Sequence, residues 1–183
     1  MANDVELAPG LPGATATVER RVFWAAMALT IVLDFATKLL AEATLLRTPI
    51  SVFGEWFQLR LVHNPGAAFG LHVGPYSRWV FFAVALIAVF VLARMSRSGP
   101  VGDRFRQLAL GLVAGGAAGN LVDRIRSPRG VVDFLDVGIG VYRWPTFNVA
   151  DIAVSCGAIA LAISLWREDA RRQQPEPKSV SAA

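Results

Sequence analysis

Four aspartates, Asp34, Asp123, Asp133 and Asp151, lie within or beside long apolar runs. Three of them keep polar company at helical spacing. Asp34 is followed by Thr37 and Lys38 at i+3 and i+4, Asn120 precedes Asp123 by three with Arg124 next, and Asn148 precedes Asp151 by three. An ionised group in apolar surroundings costs free energy and needs compensation, which makes these residues candidates for function. Two close carboxyls in a poorly hydrated site cannot readily both ionise. The pair keeps one proton, so one member can take a proton from water while the other gives one to a developing oxyanion. Such a pair titrates as a unit. Aspartyl hydrolysis is therefore available.

Other chemistries fit less well. Carboxylate and amide oxygens also suit a hard cation. His63 and His72 have no His-x-x-x-His or Glu partner, against zinc. Ser155 and Cys156 lie in an apolar run with no histidine at helical spacing, against a nucleophile–base pair. Cys156, the single cysteine, excludes an internal disulfide and reads as a buried small apolar residue. The Asp34–Lys38 pair has two readings, mutual neutralisation that lets a helix insert, or support of an active site.

The elements that carry these residues read as membrane spans. Hydrophobic residues make up 54% of the 183 and charged ones only 17%, with a mean hydropathy of +0.46. Four apolar runs, about 22–44, 76–93, 107–125 and 147–166, are each near the length a bilayer core requires. The "RRVFWAAMALTIVL" start with "AEA" at 41–43 has the look of a cleaved signal peptide. The apolar stretch continues past Asp34 and Lys38, however, and three more follow, favouring a retained first span. Residues 1–21 read as a disordered leader and 167–183 as a disordered tail, with the four-span unit at 22–166. Ten Arg and Lys residues fall on the side of the termini and seven on the other, which favours both termini in the cytoplasm. The net charge of +4 then reflects orientation rather than nucleic-acid binding.

Segments 45–75 and 126–146 face outward in this topology. "FQLRLV" at 57–62 alternates like a half-buried strand, and "VVDFLDV" and "VYRWPTF" flank "GIG" (138–140) as a hairpin would. The fold expected is a four-helix membrane bundle with a small β element on its outer face. Gly111, Gly115 and Gly119 recur at i+4, with Gly116 beside them, a small face that lets helix backbones approach closely. All four aspartates then converge near the outer membrane boundary.

The ordered stretches "DFATK" (34–38), "HNPGAAFG" (63–70), "GGAAGNLVDR" (115–124), "GVVDF" (130–134) and "FNVAD" (147–151) resemble the bacterial lipoprotein signal peptidases, signal peptidase II, over about 22–166. The resemblance implies an inner-membrane aspartyl endopeptidase, without metal or other cofactor, whose partners are diacylglyceryl-modified prolipoproteins and membrane lipids. It would cut just before the lipidated cysteine. The resemblance puts the catalytic pair on Asp133 and Asp151. It gives supporting roles to Asn64, Asn120, Asp123, Arg124, Asn148 and the Asp34–Lys38 face, and substrate holding to the segment around Gly66. One departure is about one extra residue between Asp123 and Asp133, which a surface connection tolerates. Nothing in the sequence indicates oligomerisation. Rival readings are a small transporter using the same acids, a structural protein glued by polar faces, and a Gly-x-Gly-Asp membrane protease, whose motif is absent.

Overall fold

A computed structural model describes residues 12–66, 73–98 and 102–173, with side chains from residue 19 in the first helix. Its elements run α1 (Pro12–Thr44), β1 (Ile50–Phe53), β2 (Phe57–Asn64), a 3-10 turn (Gly74–Tyr76), α2 (Ser77–Ser98), α3 (Arg104–Arg126), β3 (Val131–Ile139), β4 (Tyr142–Arg143) and α4 (Val149–Arg172). All four α-helices are long and apolar enough to cross a membrane. The expected four-helix bundle with a small sheet is present. The helices extend beyond the apolar runs. α1 begins ten residues before position 22, and α4 continues six residues past Trp166, so 12–21 and 167–172 are helical where a leader and a tail were expected. The remaining leader and tail residues, 1–11 and 174–183, lie outside the described residues.

α3 is the central helix, with 56% of its apolar window buried against 17–28% in the other three. The glycine stripe explains why. A Cβ on Gly111 would lie 2.6 Å from Phe23 O, one on Gly115 2.7 Å from Thr30 Cβ, and one on Gly119 2.5 Å from Asp34 Oδ2, so this edge is the α1 contact. Gly116 meets α4 at Ala150 O and Val154. In lipid there is no hydrophobic force between helices, so such close approach supplies the packing. The apolar residues this leaves outside, such as Leu29, Val32, Ile87 and Phe90, are exposed on the bundle's flanks, where lipid replaces water.

The sheet has the antiparallel order β1-β2-β3-β4 at the Thr44 end of α1. Phe134 packs with Ala41 of α1 and with Leu45 just beyond its end, seating the sheet on the bundle. β2 pairs with β3 in the register Asn64↔Val131, His63↔Val132 and Val62↔Asp133. Gly130, at φ +97°, lets β3 start directly against the Asn64 backbone, where a Cβ would clash. The β3–β4 hairpin turns at Gly140, as "GIG" predicts. Its second strand is shorter than expected, two residues only, because Pro145 has no N–H to continue the ladder. Phe147 then rejoins β3 alone, exchanging hydrogen bonds with Leu135 at 2.8 and 3.0 Å. β1 was not expected from the sequence.

Candidate active site

The Phe147–Leu135 bridge sets Asn148, the N-cap of α4, beside β3. Asn148 Oδ1 accepts the Asp151 N–H (3.0 Å), and Asp151 Oδ2 accepts the Asn148 N–H (3.1 Å), a reciprocal capping box. Asp151 is thus held in the first turn by the helix start itself. With its oxygen committed to the cap, Asn148 turns its amide outward, and Nδ2 donates to Asp133 Oδ1 at 2.7 Å. One buried asparagine therefore ties both aspartates together.

Asn64 behaves alike. Its Oδ1 accepts the Gly66 N–H (3.0 Å), and its Nδ2 donates to Asp133 Oδ2 (3.2 Å). Gly66 O accepts from Arg124 Nη2 (2.9 Å), and Arg124 Nη1 reaches Asn120 O (3.1 Å), fixing this segment to α3. Asn120 completes the set. Its Oδ1 faces the Lys38 ammonium at 2.8 Å, and an ammonium only donates, so Asn120 Nδ2 must face the other way, to Asp151 Oδ1 at 3.0 Å. All three amides point donors at the Asp133–Asp151 pair.

The other two aspartates are consumed internally. Lys38 Nζ lies 2.7 Å from both Asp34 Oδ2 and Asp123 Oδ2, with all three side chains buried. Asp34 Oδ1 accepts the Ala150 N–H (2.9 Å) at the α4 start. Asp123 Oδ2 also accepts the Val132 N–H (3.2 Å), and its Oδ1 accepts from Arg126 Nε (2.9 Å). The Asp34–Lys38 pair is thus charge-compensated inside the bundle, and it also bonds to Asn120 and to the start of α4.

A cavity of about 540 Å³ opens over Asp133 and Asp151, with Asn64, Asn120 and Arg124 on its polar side and Trp144, Phe147, Ile152 and Val154 on its apolar side. That size and mixture suit a ligand with one apolar and one polar part. Neither Asp34 nor Asp123 lines it. Burial pushes the Asp133 carboxyl up, from 3.8 to about 7, with the Asp151 charge adding to it; hydrogen bonds from Asn64 and Asn148 and the Lys38 charge oppose this.

The structure brings together every predicted site residue, Asp34, Lys38, Asn64, Gly66, Asn120, Asp123, Arg124, Asp133, Asn148 and Asp151. Thr37 does not join them; its hydroxyl donates to Leu33 O (2.8 Å) and Asp34 O (3.0 Å) of its own helix. Cys156 is exposed rather than buried and lines the cavity beside Ser155, because that face of α4 is turned away from α3. Residues 67–70 of the "HNPGAAFG" stretch, and His72, lie outside the described residues. Two contributors escaped the sequence reading. Trp144–Phe147, taken for a strand, forms cavity wall, and Glu42, at i+4 from Lys38, meets Arg126 at 2.9 Å.

The family described as Signal peptidase (SPase) II matches residues 26–167. The lipoprotein signal peptidase of Geobacter metallireducens is 38% identical over 156 residues, covering 84% of this chain and 96% of that protein. That of Nitratidesulfovibrio vulgaris is 39% identical over 169 residues, covering 88% and 96%. A bacterial membrane enzyme solved by the in meso method at 2.3 Å superposes with a TM-score of 0.73 at 27% identity, covering 90% of this chain and 95% of that one. Matched to this family over most of its length, and with four spans and an aspartate pair sharing one cavity, the chain belongs to the signal peptidase II family of aspartic peptidases.

Proposed function

We propose that this chain is a membrane endopeptidase that removes the signal peptide from diacylglyceryl-modified prolipoproteins, cutting before the lipidated cysteine, with Asp133 and Asp151 as the catalytic pair. The observation that carries the reading is the shared cavity that Asp133 and Asp151 line and that Asp34 and Asp123 do not.

Asp133, raised to about 7, holds the pair's proton and Asp151 is the base. Water attacks the carbonyl of the residue before the cysteine. Its proton passes to Asp151, while Asp133 protonates the developing oxyanion. When the C–N bond breaks, Asp151 returns its proton to the leaving amine, and a hydroxyl of the tetrahedral intermediate reprotonates Asp133. The pair ends as it began, with no covalent intermediate and no call on a metal or other cofactor. Asn64, Asn120 and Asn148 hold the carboxylates through this cycle, and the Asp34–Lys38–Asp123 cluster anchors Asn120. Arg124 and Gly66 position the segment next to the substrate. The apolar wall of Trp144, Phe147, Ile152 and Val154 suits acyl chains and the end of a signal helix.

In this reading residues 22–166 form the catalytic unit. It lies in the inner membrane with both termini cytoplasmic and the cavity at the periplasmic surface. A direct test is mobility-shift cleavage of a prolipoprotein with and without its diacylglyceryl group, in the presence of a chelator. Chelator-insensitive cleavage of the lipidated form alone is expected. Equal cleavage of both forms, or loss on chelation, would contradict the proposal.

A further inference from the structure

Asp34, Lys38 and Glu42 follow one another at i, i+4 and i+8 on α1, but Glu42 lies a turn further out than the buried cluster, with its side chain 22% exposed. Its Oε2 is 2.9 Å from Arg126 Nη2. His63 and Arg129 approach Glu42 less closely, at 3.7 and 3.9 Å. Arg126 is two-pronged. While Nη2 meets Glu42, Nε donates to Asp123 Oδ1 at 2.9 Å, and the guanidinium lies 5.5 Å from the centre of the Phe35 ring. From Asp123 the contacts continue through Lys38 (2.7 Å) to Asn120 (2.8 Å) and on to Asp151 (3.0 Å).

Each link in this run restricts the next. A carboxylate gripped by a planar guanidinium on one oxygen presents the other in a fixed direction. That direction places the Lys38 ammonium, and the ammonium decides which end of the Asn120 amide faces Asp151. We infer that Glu42 and Arg126 are positioning residues for the reaction, setting Asp123, and through it Lys38 and Asn120, so that an amide donor is held on Asp151. Neither residue lines the cavity. The consequence for turnover rests on the peptidase reading; the alignment of Asn120 does not.

The test compares wild type with Glu42→Gln, Arg126→Gln, the double variant, Arg126→Lys, and Arg129→Gln as a control. Cleavage of a diacylglyceryl-modified prolipoprotein gives kcat and KM. Glu42→Gln and Arg126→Gln each lower kcat by about 3- to 30-fold, the range seen for residues that act through others. KM stays within about twofold, because no ground-state substrate contact is lost. Glu42→Gln keeps its Tm within about 2 °C, since a partly exposed ion pair adds little stability. The double variant loses no more than Arg126→Gln, because both act through one path. Arg126→Lys recovers only part of the rate, an ammonium being unable to bridge both carboxylates in one plane. Arg129→Gln matches wild type.

A wild-type kcat in Glu42→Gln, or losses that multiply in the double variant, would overturn the inference. A second readout needs no turnover. The Asn120 side-chain amide resonance, assigned by its disappearance in Asn120→Asp, shifts in Glu42→Gln. An unmoved resonance overturns the inference whatever the enzyme cleaves. A shifted one in a wild type that cleaves nothing upholds the positioning path and rejects the peptidase reading.

Discussion

At the scale of single residues, the four aspartates divide by what their oxygens touch. Asp123 meets Lys38, Arg126 and a backbone N–H, whereas Asp133 accepts from the neutral amides of Asn64 and Asn148 and faces the cavity. A carboxylate whose oxygens are already taken by two cations and a backbone N–H has no face left for a reacting water, and one held by amides in a half-dry cavity can carry a proton near neutral pH. The pH consequence follows. Unfolded, Asp133 ionises near 3.8; folded, it keeps its proton to about 7. Between these values the folded chain binds the extra proton, so this residue's contribution to stability falls as pH rises, and the loss is complete above about 7. Thermal unfolding scans of wild type and Asp133→Asn across that window should diverge, with the variant's Tm the less pH-dependent. The rate should also fall as pH rises through about 7, where Asp133 gives up the acid's proton. A rate that is flat from pH 6 to 9 would contradict this assignment of the acid. Residue type and spacing could not separate Asp123 from Asp133; in the sequence only the family resemblance chose between them. Both are aspartates beside apolar runs, and apart from Arg126 the side chains that distinguish them, Lys38 for Asp123 and Asn64 and Asn148 for Asp133, come from elsewhere in the chain.

At the scale of elements, position depends on how closely α3 admits its neighbours. Gly111 and Gly116 make the same kind of contact at different places. A Cβ at Gly111 would strike Phe23 O (2.6 Å) and Ala26 Cβ (2.8 Å), while one at Gly116 would strike Ala150 O and Val154 Cγ2, next to Asp151. Alanine at either should lower Tm by several degrees, roughly 1–3 kcal/mol of overpacking. Only Gly116→Ala should also cut kcat, by about tenfold or more, because it pushes the α4 start off its place. Rates measured well below each variant's Tm separate the two effects. Equal kcat losses would mean that α4's placement against α3 is not what matters. Much at this scale was legible. The apolar runs gave four helices, and the i+4 glycines gave a close helix contact. The pairing of β2 with β3, and the lone Phe147 bridge that carries Asn148 to Asp133, were not. β2 and β3 are separated by two spans, Phe147 meets Leu135 as a single bridge beyond the hairpin, and no local pattern encodes either register.

At the scale of the molecule, charge and aromatic residues define an axis. Arg20, Arg21, Arg94, Arg97, Arg104, Arg106, Arg167, Arg171 and Arg172 lie toward one end, while the sheet and cavity lie at the other. All five tryptophans are exposed, Trp24 and Trp166 toward the arginine-rich end and Trp56, Trp79 and Trp144 toward the cavity, as residues that sit at two membrane interfaces would be. A reporter that is active only in the cytoplasm, fused after Ala183, should be active; the same reporter inserted after Arg47 should be silent. The reverse pattern would place the cavity on the wrong side for a signal peptidase.

The most direct test of the central claim is cleavage of a diacylglyceryl-modified prolipoprotein by wild type, Asp133→Asn and Asp151→Asn, each with its Tm recorded. The predicted result is folded variants in which cleavage falls by about 10³-fold or more, as expected when either half of an acid–base pair is removed. A folded Asp133→Asn or Asp151→Asn that cleaves at near wild-type rate would show that this pair does not do the chemistry.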